Sequence, residues 1–204
     1  MPPRLRFPDV SNTTLFLCDI QEKFRPLIWK FPAVVSSARA LHQAATVLGV
    51  PTLVTEQNPG RLGATVAELE GLPPAQPKMK FSMFTEKDFE EVASRGRPSG
   101  AHVILCGIEA HVCVQQTALE LLQRDIQVHI VVDGVSSQRR GDRAVALANL
   151  VAAGAAVTTT EAIIFQLLNT ASHPKFKDVQ KIVIEHNRRV AEGSEEGRGL
   201  DVLA

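Results

Sequence analysis

The sequence has no excess of either charge: Lys and Arg together number 22, and so do Asp and Glu. That balance removes the electrostatic footprint of a dedicated nucleic-acid binder, so no nucleic-acid partner is expected. Cysteine is scarce. Cys18, Cys106 and Cys113 are an odd number without paired spacing, which does not make a disulfide framework and fits a reducing compartment. No apolar run approaches the roughly 20 residues of a membrane span, and no charged segment followed by an apolar core marks a secretion signal. The expected setting is therefore the cytoplasm, with no membrane partner; the opening Met1-Pro2-Pro3-Arg4-Leu5-Arg6, basic but short and proline-broken, leaves a mitochondrial address as the alternative. Neither Cys-x-x-Cys nor His-x-x-x-His occurs, so a structural zinc site is not expected. No Gly-x-Gly-x-x-Gly fingerprint occurs, so nothing supports dinucleotide binding, and there is no internal repeat or low-complexity tract.

What is present is an ordinary globular composition, 45% apolar and 22% charged in 204 residues. It suits a single domain over 1–190 with a full core, followed by a tail, 191–204, whose Gly, Ser, Glu and Arg content predicts mobility. Apolar runs at 14–20, 51–55, 103–108, 128–134 and 156–159 read as strands, and 75–80, beside a proline-marked break, is the candidate for one more. Helical spacing marks 32–48, the segment after Cys113, 143–153, 161–168 and 175–184. Shorter helices are expected at 64–69 and 86–92, a loop at 56–63, and a strand end or ordered loop at 78–84. Strands alternating with helices mean βαβ units with right-handed crossovers. The fold class that follows is α/β, a Rossmann-like three-layer α/β/α arrangement around a mostly parallel six-stranded sheet.

In such a sheet, ligands bind beyond the carboxyl ends of the strands where the strand order reverses, usually between the first and fourth. With 75–80 as the third strand, the first ends at Asp19 and the fourth at Gly107. Asp19 and Cys113 then stand on opposite lips of one crevice. The stretch Val103 to Val114 reads as a buried strand, a sharp turn, and a cysteine opening a helix, the form that holds a nucleophile above a sheet. A thiol becomes useful as thiolate, which a helix N-terminus, a nearby cation and an adjacent base all favour. Asp19 is placed to take the proton, and a lysine of Lys78-x-Lys80 to pair with the carboxylate. The residues leave other readings open: Asp19 as a turn residue, the lysines as a solvated strand edge, Cys18 and Cys106 as filling for apolar strands. His111, two positions before Cys113, reads either as a base or as a ring lining the pocket or facing solvent.

Three motifs in order resemble the isochorismatase-like cysteine hydrolases. Leu15-Phe16-Leu17-Cys18-Asp19-Ile20-Gln21 is similar to the family's first-strand aspartate motif. Lys78-x-Lys80-Phe81-Ser82-x-Phe84 is similar to its lysine segment, and Gly107-Ile108-Glu109-Ala110-His111-Val112-Cys113-Val114 to its nucleophile turn. The resemblance implies a catalytic triad of Asp19, Lys78 and Cys113, with Lys80 the fallback lysine. It also implies an oxyanion hole of Glu109 and Cys113 N–H groups behind a cis peptide at Ile108–Glu109, and assembly into dimers or higher oligomers. Nicotinamidases of this superfamily carry an Asp-x-His metal motif after the second strand, whereas 55–74 holds neither histidine nor aspartate, so no metal or other cofactor is expected.

Thr55-Glu56-Gln57-x-Pro59, Leu62-Gly63 and His173-Pro174-x-Phe176-Lys177 resemble the isochorismatase domain-containing subgroup. Relatives that hydrolyse isochorismate lack the cysteine, so Cys113 favours acyl chemistry on a small amide or related carbonyl compound. Phe24, Glu56, Gln57 and His111 are the candidate pocket residues. The rival reading is an interaction protein that keeps the site without turnover. A third, redox sensing by Cys113, needs a resolving partner, and Cys106 lies too deep in its strand to serve.

Overall fold

The computed structural model describes residues 7–84, 92 and 100–192. Among the described residues the principal elements follow one another as β1 (Thr13–Cys18), α1 (Phe31–Leu48), β2 (Thr52–Gln57), α2 (Pro59–Leu62), β3 (Gln76–Lys78), β4 (His102–Ile108), α3 (Gln115–Leu122), β5 (Gln127–Ser136), α4 (Arg140–Ala152), β6 (Ala156–Thr158), α5 (Thr160–Leu168) and α6 (Phe176–Glu192). The sheet order is β3-β2-β1-β4-β5-β6 and every pairing is parallel. The order reverses between β1 and β4, where a crevice opens beyond the strand ends.

β1 and β4 are buried along their whole length because helices cover both faces, which is why they read as unbroken apolar runs. Strand alternation sorts their side chains into two cores. Leu15, Leu17, Ile104 and Cys106 pack with α1, α5 and α6 through Val34, Leu41, Ile163 and Val179. Phe16, Cys18, Val103 and Leu105 pack on the opposite face with Cys113, Val114, Leu121 and Leu150, from the turn after β4 and from α3 and α4. β5 carries extra residues: Leu105 faces Ile130, but Gly107 already faces Val135. This bulge carries β5 past the bend to Ser136, at the mouth of the crevice.

Besides shifts of one to three residues at several element ends, three segments differ from the sequence reading. The helix expected at 64–69 is instead a bridge and a turn, because its backbone bonds elsewhere: Thr65 N donates to Glu56 Oε1 at 2.7 Å and Val66 N to the Ile20 carbonyl at 3.0 Å. The loop expected at 56–63 contains the last two residues of β2 and the single helical turn α2, opened by Pro59 at its first position. The last helix runs on to Glu192 rather than ending at 184. Its buried contacts, Val179, Val183 and His186, finish on a histidine, whose Nδ1 meets Ser36 Oγ at 3.0 Å, so an apolar count stops too early. Exposed pairs Arg188–Glu185 and Arg188–Glu192 lace the final turns. The helix expected at 86–92 and the tail from 191 lie outside the described residues, apart from Val92, which is helical, and residues 191–192, which end α6.

Candidate active site

β1 ends at Cys18, and Asp19 leaves the sheet with φ 53°, a left-handed conformation that costs an L-residue about 1–2 kcal/mol and collects at functional sites. Neighbouring backbone holds it there: Asp19 N donates to the Thr55 carbonyl at 3.2 Å, and Gln21 N to the Asp19 carbonyl at 2.7 Å. Asp19 is 1% exposed. Its Oδ1 accepts from Thr55 Oγ1 at 2.8 Å, and its Oδ2 lies 2.7 Å from Lys78 Nζ.

Lys78 is the last residue of β3, opposite Gln57 of β2. Its ammonium donates to Gln57 Oε1 at 2.7 Å, to the Phe81 carbonyl at 2.9 Å, and to Cys113 Sγ at 3.7 Å. Burial, the largest single influence, lowers its pKa, but Cys18, Asp19 and Cys113 overbalance it and the net shift is upward. Lys78 is thus held as a cation within a largely dry site. Lys80, two residues on, turns outward to Glu120 at 2.8 Å. The geometry brings Lys78, and not Lys80, to Asp19 and Cys113.

Cys113, 6% exposed, sits in a π-helical turn, Ala110–Val114, that continues into α3. Such wide turns are rare and occur frequently at functional sites. Glu109, between strand and turn, has φ 55°, so left-handed residues stand on both lips of the crevice. Thr117 Oγ1 donates to the Cys113 carbonyl at 2.6 Å and accepts from Met83 N at 2.9 Å, which ties the segment after Lys78 to the turn that carries Cys113.

Cys18 is the residue that sequence reasoning missed. Its sulfur, an Asp19 carboxylate oxygen and the Cys113 sulfur lie within 4.8 Å of one another, and the Cys18 thiol is 3.6 Å from Asp19 Oδ2. Burial, contact with Cys113 and the Asp19 charge push the Cys18 pKa well up. Alternation from Phe16 put Cys18 on the face of Cys113, a signal the sequence did hold. The left-handed turn at Asp19, which breaks the alternation and lets consecutive side chains meet one sulfur, was not legible. These three donors could also hold a metal ion, but the Lys78 ammonium already occupies the position of countercharge among them.

The other anticipated pocket residues are engaged in bracing. Glu56 Oε1 accepts from Thr65 N and Oγ1 at 2.7 and 2.8 Å. Gln57 receives Lys78 and donates to the Met79 carbonyl at 3.0 Å, so it positions the lysine. Phe24 packs against the α1 side of the core. The ring nitrogens of His111 turn to Ser137 Oγ at 3.1 Å, Glu109 at 3.4 Å and Asp142 at 3.9 Å. Glu109 Oε1 accepts from Gln138 at 2.7 Å. A cavity of about 600 Å³ opens elsewhere, lined by Arg25, Trp29, Ser36, Arg39 and Arg189, with none of Asp19, Lys78 or Cys113 in its wall.

Comparison with known proteins agrees with this architecture. The model of the isochorismatase domain family matches residues 13–162. Isochorismatase domain-containing protein 2 of Danio rerio is 49% identical over 175 residues, covering 85% of this chain and 87% of its own. A solved structure described as MAR1 ribonuclease from Caenorhabditis elegans superposes with a TM-score of 0.81 at 45% identity, covering 88% of this chain and 93% of that one. YcaC from Pseudomonas aeruginosa, solved with hexane-2,5-diol and covalent acrylamide, superposes with a TM-score of 0.76 at 18% identity, covering 92% of this chain and 97% of that one.

Proposed function

This chain belongs to the isochorismatase domain family, and from that premise we propose that it is a metal-independent cysteine hydrolase of a small amide or related carbonyl compound. The observation that carries the reading is the Lys78 ammonium, 2.7 Å from Asp19 and 3.7 Å from Cys113, in a site closed to most water. A fixed cation there stabilises charge developing on sulfur as well as on the carboxylate.

In the proposed cycle Asp19 takes the Cys113 proton and the thiolate attacks the carbonyl carbon. The oxyanion rests on the Glu109 and Cys113 backbone N–H groups, each such donor contributing typically about 3 kcal/mol. Asp19 returns the proton to the leaving amine as the C–N bond breaks, which leaves a thioester on Cys113. Asp19 then draws a proton from water, water attacks the thioester, and acid and thiolate separate. The covalent acrylamide described with YcaC, a small electrophile, names a useful alkylating probe for the Cys113 thiol. The name of the Caenorhabditis elegans protein raises RNA cleavage. The balanced charge of this chain argues for a small molecule instead.

The test is the rate of Cys113 alkylation by iodoacetamide or acrylamide against pH, followed by intact-mass detection of an acyl adduct with a panel of small amides. The expected result is alkylation at neutral pH at least about tenfold faster than for an ordinary buried thiol, slowed in Asp19→Asn. Equal, slow reaction in both proteins would leave the catalytically quiet interaction protein as the better reading.

A further inference from the structure

We propose that Cys18 is a resolving thiol, which captures an oxidised Cys113 as a reversible Cys18–Cys113 disulfide and so switches the site off under peroxide. The proposal rests on the reading of Cys113 as a nucleophile. A hydrolase of this design requires one thiol, yet the site holds two. The second comes from the end of β1, far from the Cys113 turn in sequence, and the two sulfurs lie within 4.8 Å. Both side chains belong to the same packed layer, between β1 and the turn before α3. Closing to the roughly 2 Å of an S–S bond asks for movement on the scale of a χ1 rotation.

The fold has made room for this approach. Gly107 of β4 is the register partner of Cys18, and its φ is +145°. A Cβ at that position would stand 2.3 Å from the Cys18 carbonyl oxygen and 2.6 Å from the Cys18 Cβ. Glycine therefore lets β4, which leads into the turn that carries Cys113, run directly against Cys18. Cys106, the remaining thiol, cannot take the role. It faces the α1 layer and its sulfur donates to the Gly134 carbonyl at 3.0 Å.

The oxidant is a small hydroperoxide such as hydrogen peroxide. The Cys113 thiolate attacks one peroxide oxygen, the O–O bond breaks, and Cys113 becomes a sulfenic acid while hydroxide leaves and takes up a proton. The Cys18 sulfur then attacks the Cys113 sulfur, the S–O bond breaks, and water departs. The Cys18 proton is passed through Asp19 Oδ2, 3.6 Å away. In sum, two thiols and one peroxide give one disulfide and two waters, and a thiol reductant reverses the change. Capture at the sulfenic stage also keeps Cys113 from the irreversible sulfinic and sulfonic acids.

The experiment treats the full chain with a small excess of hydrogen peroxide, reads intact mass and maps non-reduced peptides. Cys113 alkylation is measured in parallel. Wild type is expected to lose two hydrogens, to yield a peptide pair joining Cys18 to Cys113, and to recover full alkylation with dithiothreitol. Cys18→Ala is expected to gain two or three oxygens on Cys113 and not to recover. Cys18→Ser serves where the alanine variant does not fold, and the wild-type peptide map decides the matter without either variant. Oxygens on Cys113 without the linked pair, or a link to Cys106, overturns the proposal. If Cys113 alkylates quickly at neutral pH and no link forms, the nucleophile reading stands and this one falls. If Cys113 resists both reagents, both fall.

Discussion

Lys78 Nζ and Asp19 Oδ2 are 2.7 Å apart, with side chains 9% and 2% exposed, and this ion pair joins the outermost strand β3 to the end of β1 at the centre of the sheet. A buried pair adds little net stability over an apolar replacement, but removing one partner strands the other charge and costs about 3–5 kcal/mol. Lys78→Met is therefore expected to lose stability in that range by urea unfolding. The double variant Lys78→Met/Asp19→Asn should lose less than the sum of the two single losses, because neither charge is left alone. Strict additivity would show that the pair is not coupled.

Gly107→Ala adds a methyl where no space exists, at a backbone conformation that alanine resists. The expected loss is about 3 kcal/mol or more, read from the urea midpoint. Gly141→Ala, at an exposed position in the first turn of α4, meets nothing within 4 Å and should be neutral or slightly stabilising. A tolerated Gly107→Ala would mean that β1 and β4 separate more readily than their packing indicates.

Stability is expected to fall between neutral pH and pH 4 in a way that His129 dominates. His129 and His102 meet at 2.9 Å in the core, and burial first, then the charge of His102, brings the His129 pKa down to about 4. The unfolded chain protonates this histidine near its ordinary value of about 6.5, so across the window the unfolded state binds more protons and stability rises with pH. The contribution is present in full above about 6.5 and is lost as pH falls toward 4, up to about 3 kcal/mol for a shift of this size. His129→Asn should flatten the profile. A residual slope of the same sign is expected from His186 and His42, whose pKa values burial also lowers. An unchanged slope in the variant would assign the pH dependence elsewhere.

The sequence by itself determined the fold class and the position of the crevice. Both are topological: short apolar runs bounded by turn residues read as strands covered on two faces, and their alternation with helices favours a parallel sheet whose order reverses beside the first strand. Asp19 and Cys113 came together on paper for that reason, each lying just past the end of a central strand. The expectation failed at 64–69 and stopped short in α6. There, backbone bonds to Glu56 and Ile20, and a buried His186, outweighed local propensity.

Only the tertiary structure decided which side chains gather around Cys113. Lys78 and Lys80 have the same strand parity, and they separate because β3 ends at Lys78 and the chain then bends, which sends Lys80 to Glu120. Glu56 and Gln57 lie on the strand facing that bend, and their polar groups are taken by Thr65 and Lys78. Cys18 joins the site because Asp19 adopts a positive φ, which no alternation rule anticipates, and because Gly107 removes a side chain from its path. Sequence patterns report which face a residue takes. The distance between two faces that meet is set by backbone turns and by missing atoms, and those become visible only when the chain is folded.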